Sequence, residues 1–200
     1  MLNVTELLGI PFIALLPLTG VAAGVYIFGK ISMAHFNPAL TLGFLITRHT
    51  TKLQSFYYFS AEIIGALLGS LFVMYIIGKE ANVGANSPNY AFPLPTIFSI
   101  EVFASALLMA VIAVVVYTKG LRGFGGLVIG GLVGLDIFFL AFISGASMNP
   151  ARALAPALTS GVLNNLWLYW SATFIGTSVV AFLVRKKLAN KKSKRNGQLE

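Results

Sequence analysis

The chain contains no cysteine, so structural disulfides are excluded and the redox compartment leaves no mark on it. Charge is almost as scarce. Only 10% of its 200 residues are charged while 57% are apolar, which is too little charge to clothe a soluble globule of this size. No paired carboxylates, metal-spaced histidines or nucleophile constellation can be found, so neither an enzyme nor a resident metal or cofactor is expected.

What is present in quantity is long apolar sequence. Five runs of about twenty residues, at 8–29, 54–78, 97–117, 124–143 and 163–184, are each long enough to cross the hydrocarbon core of a bilayer. The first run is as long as the others and no basic residue precedes it, so a cleaved signal peptide is not expected. The formal charge is +8, and seven of the fourteen basic residues lie within 185–195. Alternating the five spans puts Lys30, Arg48, Lys52, Lys119, Arg122 and that tail on one side, with Lys79 alone in a loop on the other. The crowded side is expected to be cytoplasmic, with the C-terminus inside. The charge is therefore read as an orientation signal and a contact for anionic lipid, and no nucleic acid partner is expected.

The sequence also repeats itself. Ile31-Ser32-Met33-Ala34-His35-Phe36-Asn37-Pro38-Ala39 and Ile143-Ser144-Gly145-Ala146-Ser147-Met148-Asn149-Pro150-Ala151 share six of nine positions at an offset of 112. Tyr58-Phe59-Ser60-Ala61-Glu62-Ile63-Ile64-Gly65 matches Tyr169-Trp170-Ser171-Ala172-Thr173-Phe174-Ile175-Gly176 at five of eight, offset by 111. One membrane domain over 1–184 is expected, with repeat one at 1–78, repeat two at 96–184, and a basic tail at 185–200. Repeat two has a leading span that repeat one lacks, so an upstream helix is expected to be missing from the sequence as it stands. Three spans per repeat would make the two copies point oppositely through the bilayer.

Each Asn-Pro-Ala precedes a stretch too short to span, 40–46 and 152–158. Asparagine is a favoured N-cap and proline is favoured at the first helical position, so Asn37-Pro38 and Asn149-Pro150 read as helix starts. Irregular backbone at membrane depth is tolerated only when buried in protein or lining water. Two half-helices are therefore expected to enter from opposite faces and meet beside a pore, with their positive dipole ends aimed at it. The asparagine amides would donate to a passing oxygen, and extended residues before them would offer carbonyls. Such a site suits neutral solutes and opposes cations and proton wires.

These residues resemble the major intrinsic proteins, the aquaporins and glycerol facilitators. The resemblance covers 8–184, and its most specific parts are Ala-His-Phe-Asn-Pro-Ala and Ser-Gly-Ala-Ser-Met-Asn-Pro-Ala-Arg. It implies an aquaporin-like all-α, right-handed bundle with inverted repeats and two half-membrane helices, of which five full spans are visible and the first family helix is absent. It also implies a homotetramer in the cell membrane with one pore per subunit, passing water and small uncharged solutes. The family's outer filter falls on Pro17, Ile137, Ala146 and Arg152, with Leu16 or Leu18 one residue from the first. No aromatic stands at the first and no histidine at the second, which implies a wider, more apolar opening of the kind that passes glycerol, urea or neutral metalloid acids.

Glu101 matches the family glutamate that holds the backbone N–H groups of a half-helix loop, and Glu62 is expected to do the same for the other loop. His35 resembles the family histidine near the cytoplasmic mouth and is expected to make a structural hydrogen bond. Asp136, beside Ile137, either faces the pore or bonds a loop. The rows Ala61, Gly65, Gly69 and Gly126, Gly130, Gly134 are expected to let helices approach closely. The polar loop 79–95 is expected to be an exposed connection without site chemistry. A passive channel is thus expected, against two rivals: an ion-coupled carrier using Glu62 or Asp136, and a nonconducting truncated homologue.

Overall fold

A computed structural model describes residues 4–196. Among them the secondary structure is wholly helical: α1 Val4–Ser32, α2 Pro38–Ile46, α3 Lys52–Ile77, α4 Leu94–Tyr117, α5 Gly125–Ser144, α6 Pro150–Ser160 and α7 Leu166–Asn196. Five of the seven are long and apolar enough to cross a membrane. The other two, α2 and α6, have 9 and 11 residues, and at about 1.5 Å per residue each reaches only about half of a ~30 Å core. Local signals set the ends. Thr51 and Gln54 form a reciprocal capping box at the start of α3, and left-handed Gly145 and Gly161 close α5 and α6. The helix of α7 runs unbroken past residue 184 to Asn196, so the basic segment continues the last span.

The burial pattern is that of a protein solvated by lipid. Phe56, Phe72, Phe103, Phe139 and Phe182 are exposed, while Glu101, Ser105, Thr173 and Thr177 are among the most enclosed side chains. Apolar tails dissolve the outward residues as readily as a protein core would, so helix association relies on close packing and internal hydrogen bonds. Helix α1 packs on α5, and here Gly126, Gly130 and Gly134 are required. A Cβ at Gly130 would stand 2.5 Å from the Leu18 carbonyl oxygen, and one at Gly126 2.8 Å from that of Ala22.

The repeats interlock across the molecule: the half-helix α2 packs on α7, and α6 packs on α3. Their symmetry stops at one place. Helix α4 lies so close to α7 that a Cβ at Gly176 would meet the Val102 carbonyl oxygen at 2.2 Å. A Cβ at Gly65, the counterpart of Gly176 on α3, or at Gly69 would meet nothing within 4 Å beyond its own helix among the described residues. The expected close approach along Ala61, Gly65 and Gly69 is therefore not made among the described residues. Those three line an open groove of about 720 Å³ instead, because among the described residues no helix stands beside α3 as α4 stands beside α7.

Candidate functional site

The two Asn-Pro-Ala turns meet in the middle of the bundle. Asn37 and Asn149 are the N-caps of α2 and α6, each accepting from the backbone N–H two residues on, at 3.0 Å from Ala39 and 2.9 Å from Ala151. Such a cap stabilises a helix by about 1 kcal/mol and leaves the amide nitrogen free to act elsewhere. That nitrogen reaches across. Asn37 Nδ2 donates to the Met148 carbonyl at 2.8 Å, and Asn149 Nδ2 donates to the Phe36 carbonyl at 2.8 Å. The positive ends of two half-helix dipoles, each equivalent to about half an elementary charge, thus converge on one locus.

The backbone leading into each turn is not simply extended, as the sequence suggested. Met33, Ala34 and Phe36 have φ of 57°, 48° and 49°, and their counterparts Gly145, Ala146 and Met148 have 89°, 44° and 53°. Residues other than glycine held in this region cost of order 1–3 kcal/mol each, so surrounding contacts must enforce it. Glu101 supplies the enforcement in repeat two. Fully buried, its carboxylate accepts from Ser144 Oγ at 2.7 Å, from Ser147 N–H at 3.0 Å and from Met148 N–H at 3.2 Å. Successive N–H groups turned onto one anion here form a nest, in which right- and left-handed residues alternate, Met148 being the left-handed one.

Repeat one is supported differently. Thr41 Oγ1 donates to Glu62 Oε1 at 2.8 Å, and Glu62 also sits against the Asn37 backbone amide. Because the single Thr41 hydroxyl proton goes to Glu62, the 3.0 Å contact between His35 Nδ1 and Thr41 Oγ1 is donated by the imidazole. His35 is further held by stacking on Phe44, with ring centroids 4.4 Å apart. Its Nε2 and Glu62 Oε2 have no partner among the described residues.

A cavity of about 1080 Å³ runs past these turns. Its lining brings together Asn37, Asn149, Pro17, Ile137, Ala146 and Arg152, together with His35. On α1 it is Pro17 that borders this space, while Leu16 is 74% exposed to the outside and Leu18 packs on Gly134. Among the described residues Asp136 neither lines the cavity nor bonds a loop. It is buried, and its Oδ2 is unpaired among the described residues.

The loop between α3 and α4, which the sequence marked only as an exposed connection, reaches the site. Asn86 within it is buried, accepts a hydrogen bond from the Arg152 guanidinium and donates to the Gly145 carbonyl at 2.9 Å. Asparagine in a Gly/Asn/Pro-rich loop is usually a turn former. Nothing local separates Asn86 from Asn82 or Asn89, so only the folded chain reveals it.

His49 also lines the cavity; its Nε2 lies 2.9 Å from the Tyr117 hydroxyl and its Nδ1 2.8 Å from Thr47 Oγ1. The Thr47 hydroxyl donates to the Gly43 carbonyl at 3.0 Å, so the imidazole donates from Nδ1, and in the neutral ring Nε2 accepts from the Tyr117 hydroxyl. Desolvation holds the His49 pKa below its ordinary value of 6.5.

Five membrane-crossing helices, two half-helices capped against each other and a cavity beside their junction define a multi-pass membrane protein built on inverted repeats. Comparison with known proteins identifies it further. The family model described as Major intrinsic protein matches residues 3–184, and the chain belongs to that family. It is 36% identical over 154 residues to Aquaporin NIP2-1 of Oryza sativa subsp. japonica, an alignment covering 76% of this chain and 51% of the relative. With Aquaporin NIP3-1 of Arabidopsis thaliana it shares 35% over 191 residues, covering 92% and 59%. The chain thus spans about half to three-fifths of the length of these relatives. Among solved structures, the aquaglyceroporin from Plasmodium falciparum superposes with a TM-score of 0.67 at 23% identity, covering 84% of this chain and 77% of that one, and shows the same fold.

Proposed function

We propose that the chain forms a passive channel for water and small neutral solutes such as glycerol, turning away cations and protons at the paired Asn-Pro-Ala turns. The observation that carries this reading is the reciprocal pair of amide–carbonyl bonds between Asn37 and Asn149 and the opposite loops, beside a cavity lined by both asparagines. Each Nδ2 carries two hydrogens. One is fixed across the junction, and the second is available to a solute oxygen. A water whose oxygen accepts from two such donors has no lone pair left to accept from its neighbours in file and can only donate to them, which interrupts a proton wire.

Pro17, Ile137, Ala146 and Arg152 form the outer filter in this reading. Three apolar groups and one cation make an opening with a single strong donor and greasy walls, suited to a polyol that presents hydroxyls on one side and carbon on the other. His35 and Glu62 support the first turn, and Glu101 supports the second. We further place the chain in the cell membrane as a homotetramer with its C-terminus in the cytoplasm, on the strength of the basic asymmetry and the family. Relatives named aquaporins and an aquaglyceroporin support the solute class.

The open groove beside α3 favours a second reading, a homologue that does not conduct on its own. Stopped-flow light scattering of proteoliposomes separates the possibilities. The channel reading expects water and glycerol to equilibrate faster than in empty vesicles, at rates indifferent to a proton gradient. Rates that follow the proton gradient would identify a coupled carrier, and rates equal to those of empty vesicles would identify the nonconducting homologue.

A further inference from the structure

Arg152 has to be held in place by something. An arginine carries about 2 kcal/mol of side-chain rotamer entropy, and one projecting into an aqueous passage from a short helix is free to sweep it unless tethered. The carboxylate whose field it feels is Glu101, but that group is occupied by Ser144, Ser147 and Met148. The tether present is Asn86. Its Oδ1 accepts from the Arg152 guanidinium and its Nδ2 donates to the Gly145 carbonyl. The two bonds fix the amide's orientation, because a flipped amide would aim donors at a cation and an oxygen at a carbonyl.

Asn86 is itself anchored. Asn89 donates from its backbone N–H to the Ile143 carbonyl at 3.0 Å and from Nδ2 to the Phe142 carbonyl at 3.2 Å. These are carbonyls from the last turn of α5, which a helix cannot satisfy internally. The loop thereby caps α5, carries Asn86 to the rim, and ties Arg152 to the residue preceding Ala146. An amide differs from a carboxylate in one decisive respect: it orients the guanidinium without cancelling its charge.

We propose that Asn86 is a positioning residue of the outer filter, setting where the Arg152 guanidinium stands in the passage while leaving its full positive charge directed at the lumen. Solute cut-off then depends on the length of the residue at 86, and cation exclusion on its neutrality. This inference rests on the channel reading only for its transport consequences.

The test uses the full chain in proteoliposomes with two variants, Asn86→Leu and Asn86→Asp. Phenylglyoxal labelling of Arg152, followed by peptide mass mapping, reports the tether directly, with exposed Arg48 as an internal reference that also reveals gross misfolding. Loss of the tether in Asn86→Leu is expected to speed labelling of Arg152 about tenfold relative to Arg48, the scale of one hydrogen bond to a charged group. Asn86→Asp is expected to keep labelling slow yet raise cation leak, read with a potential-sensitive dye. Labelling of Arg152 in Asn86→Leu at the wild-type rate would overturn the tether, and a conducting Asn86→Asp that excludes cations as well as wild type would overturn the role of neutrality. A wild type that conducts nothing refutes the channel reading, and the labelling comparison still decides for or against the tether.

Discussion

Asn37 and Asn149 brace one another: the amide of each donates at 2.8 Å to the carbonyl immediately preceding the other. Each half-helix start is therefore fixed by the opposite repeat as well as by its own turn, and neither can shift alone.

Coupling of that kind has a thermodynamic signature. Asn37→Ala and Asn149→Ala each remove a cap and one cross-junction donor, and each is expected to cost about 2 kcal/mol. The double variant is expected to cost less than the sum by about 0.5 kcal/mol or more, since sites sharing one network do not add. Thermal unfolding of the four forms in detergent measures this, and strict additivity would show that the two turns do not brace each other.

Glu101 and Glu62 are expected to differ in weight. Glu101→Gln replaces an acceptor of one hydroxyl and two N–H groups by an amide with a single acceptor oxygen, leaving buried donors unmet at a cost of about 2–3 kcal/mol. Glu62→Gln keeps an oxygen for the Thr41 hydroxyl and is expected to cost about 1 kcal/mol or less. Equal losses in melting temperature would mean that the two loops are supported alike.

The absence of cysteine makes the groove beside α3 open to a clean experiment. Gly65→Cys is expected to react rapidly with a membrane-permeant maleimide, because nothing lies within 4 Å of its new Cβ. Gly176→Cys is expected to lower the melting temperature, since its Cβ would press on the Val102 carbonyl oxygen at 2.2 Å, and to react slowly in the protein that stays folded. Similar labelling of both, in similarly stable proteins, would mean that α3 is covered as α7 is.

His49 gives the chain a stability term that depends on pH. Its pKa is lowered by desolvation, so near neutrality and below the unfolded chain binds more protons than the folded one, and stability rises with pH there. The contribution is complete above the ordinary value of 6.5 and declines as the pH falls below it, where protonation of Nε2 displaces the Tyr117 hydroxyl proton. Melting temperatures of wild type and His49→Gln across this range are expected to converge towards acid. An unchanged gap between them would remove His49 from the account.

The half-helices were legible in the sequence because an Asn N-cap followed by Pro is a local signal, and the repeat doubled it. The left-handed residues before each turn were not. Methionine and phenylalanine avoid that conformation locally, and it is the buried Glu101, brought from another helix, that imposes it at Met148. The two glycine rows looked equivalent because spacing shows which face could approach a neighbour and is silent on whether one is there. Gly130 has α1 against it, and Gly65 has an open groove. Asn86 escaped for a related reason, since its partner Arg152 is 66 residues away and its own loop reads as turn chemistry.

The passage itself is tested most directly by a mercurial block on α5. Ile137 lines the cavity, whereas Phe139, two residues on, is 59% exposed on the outer face. In the cysteine-free background, a mercurial is expected to abolish water and glycerol flux through Ile137→Cys and to leave Phe139→Cys and wild type unaffected. Full mercury modification of Ile137→Cys with undiminished flux would mean that solute does not travel between Asn37 and Asn149.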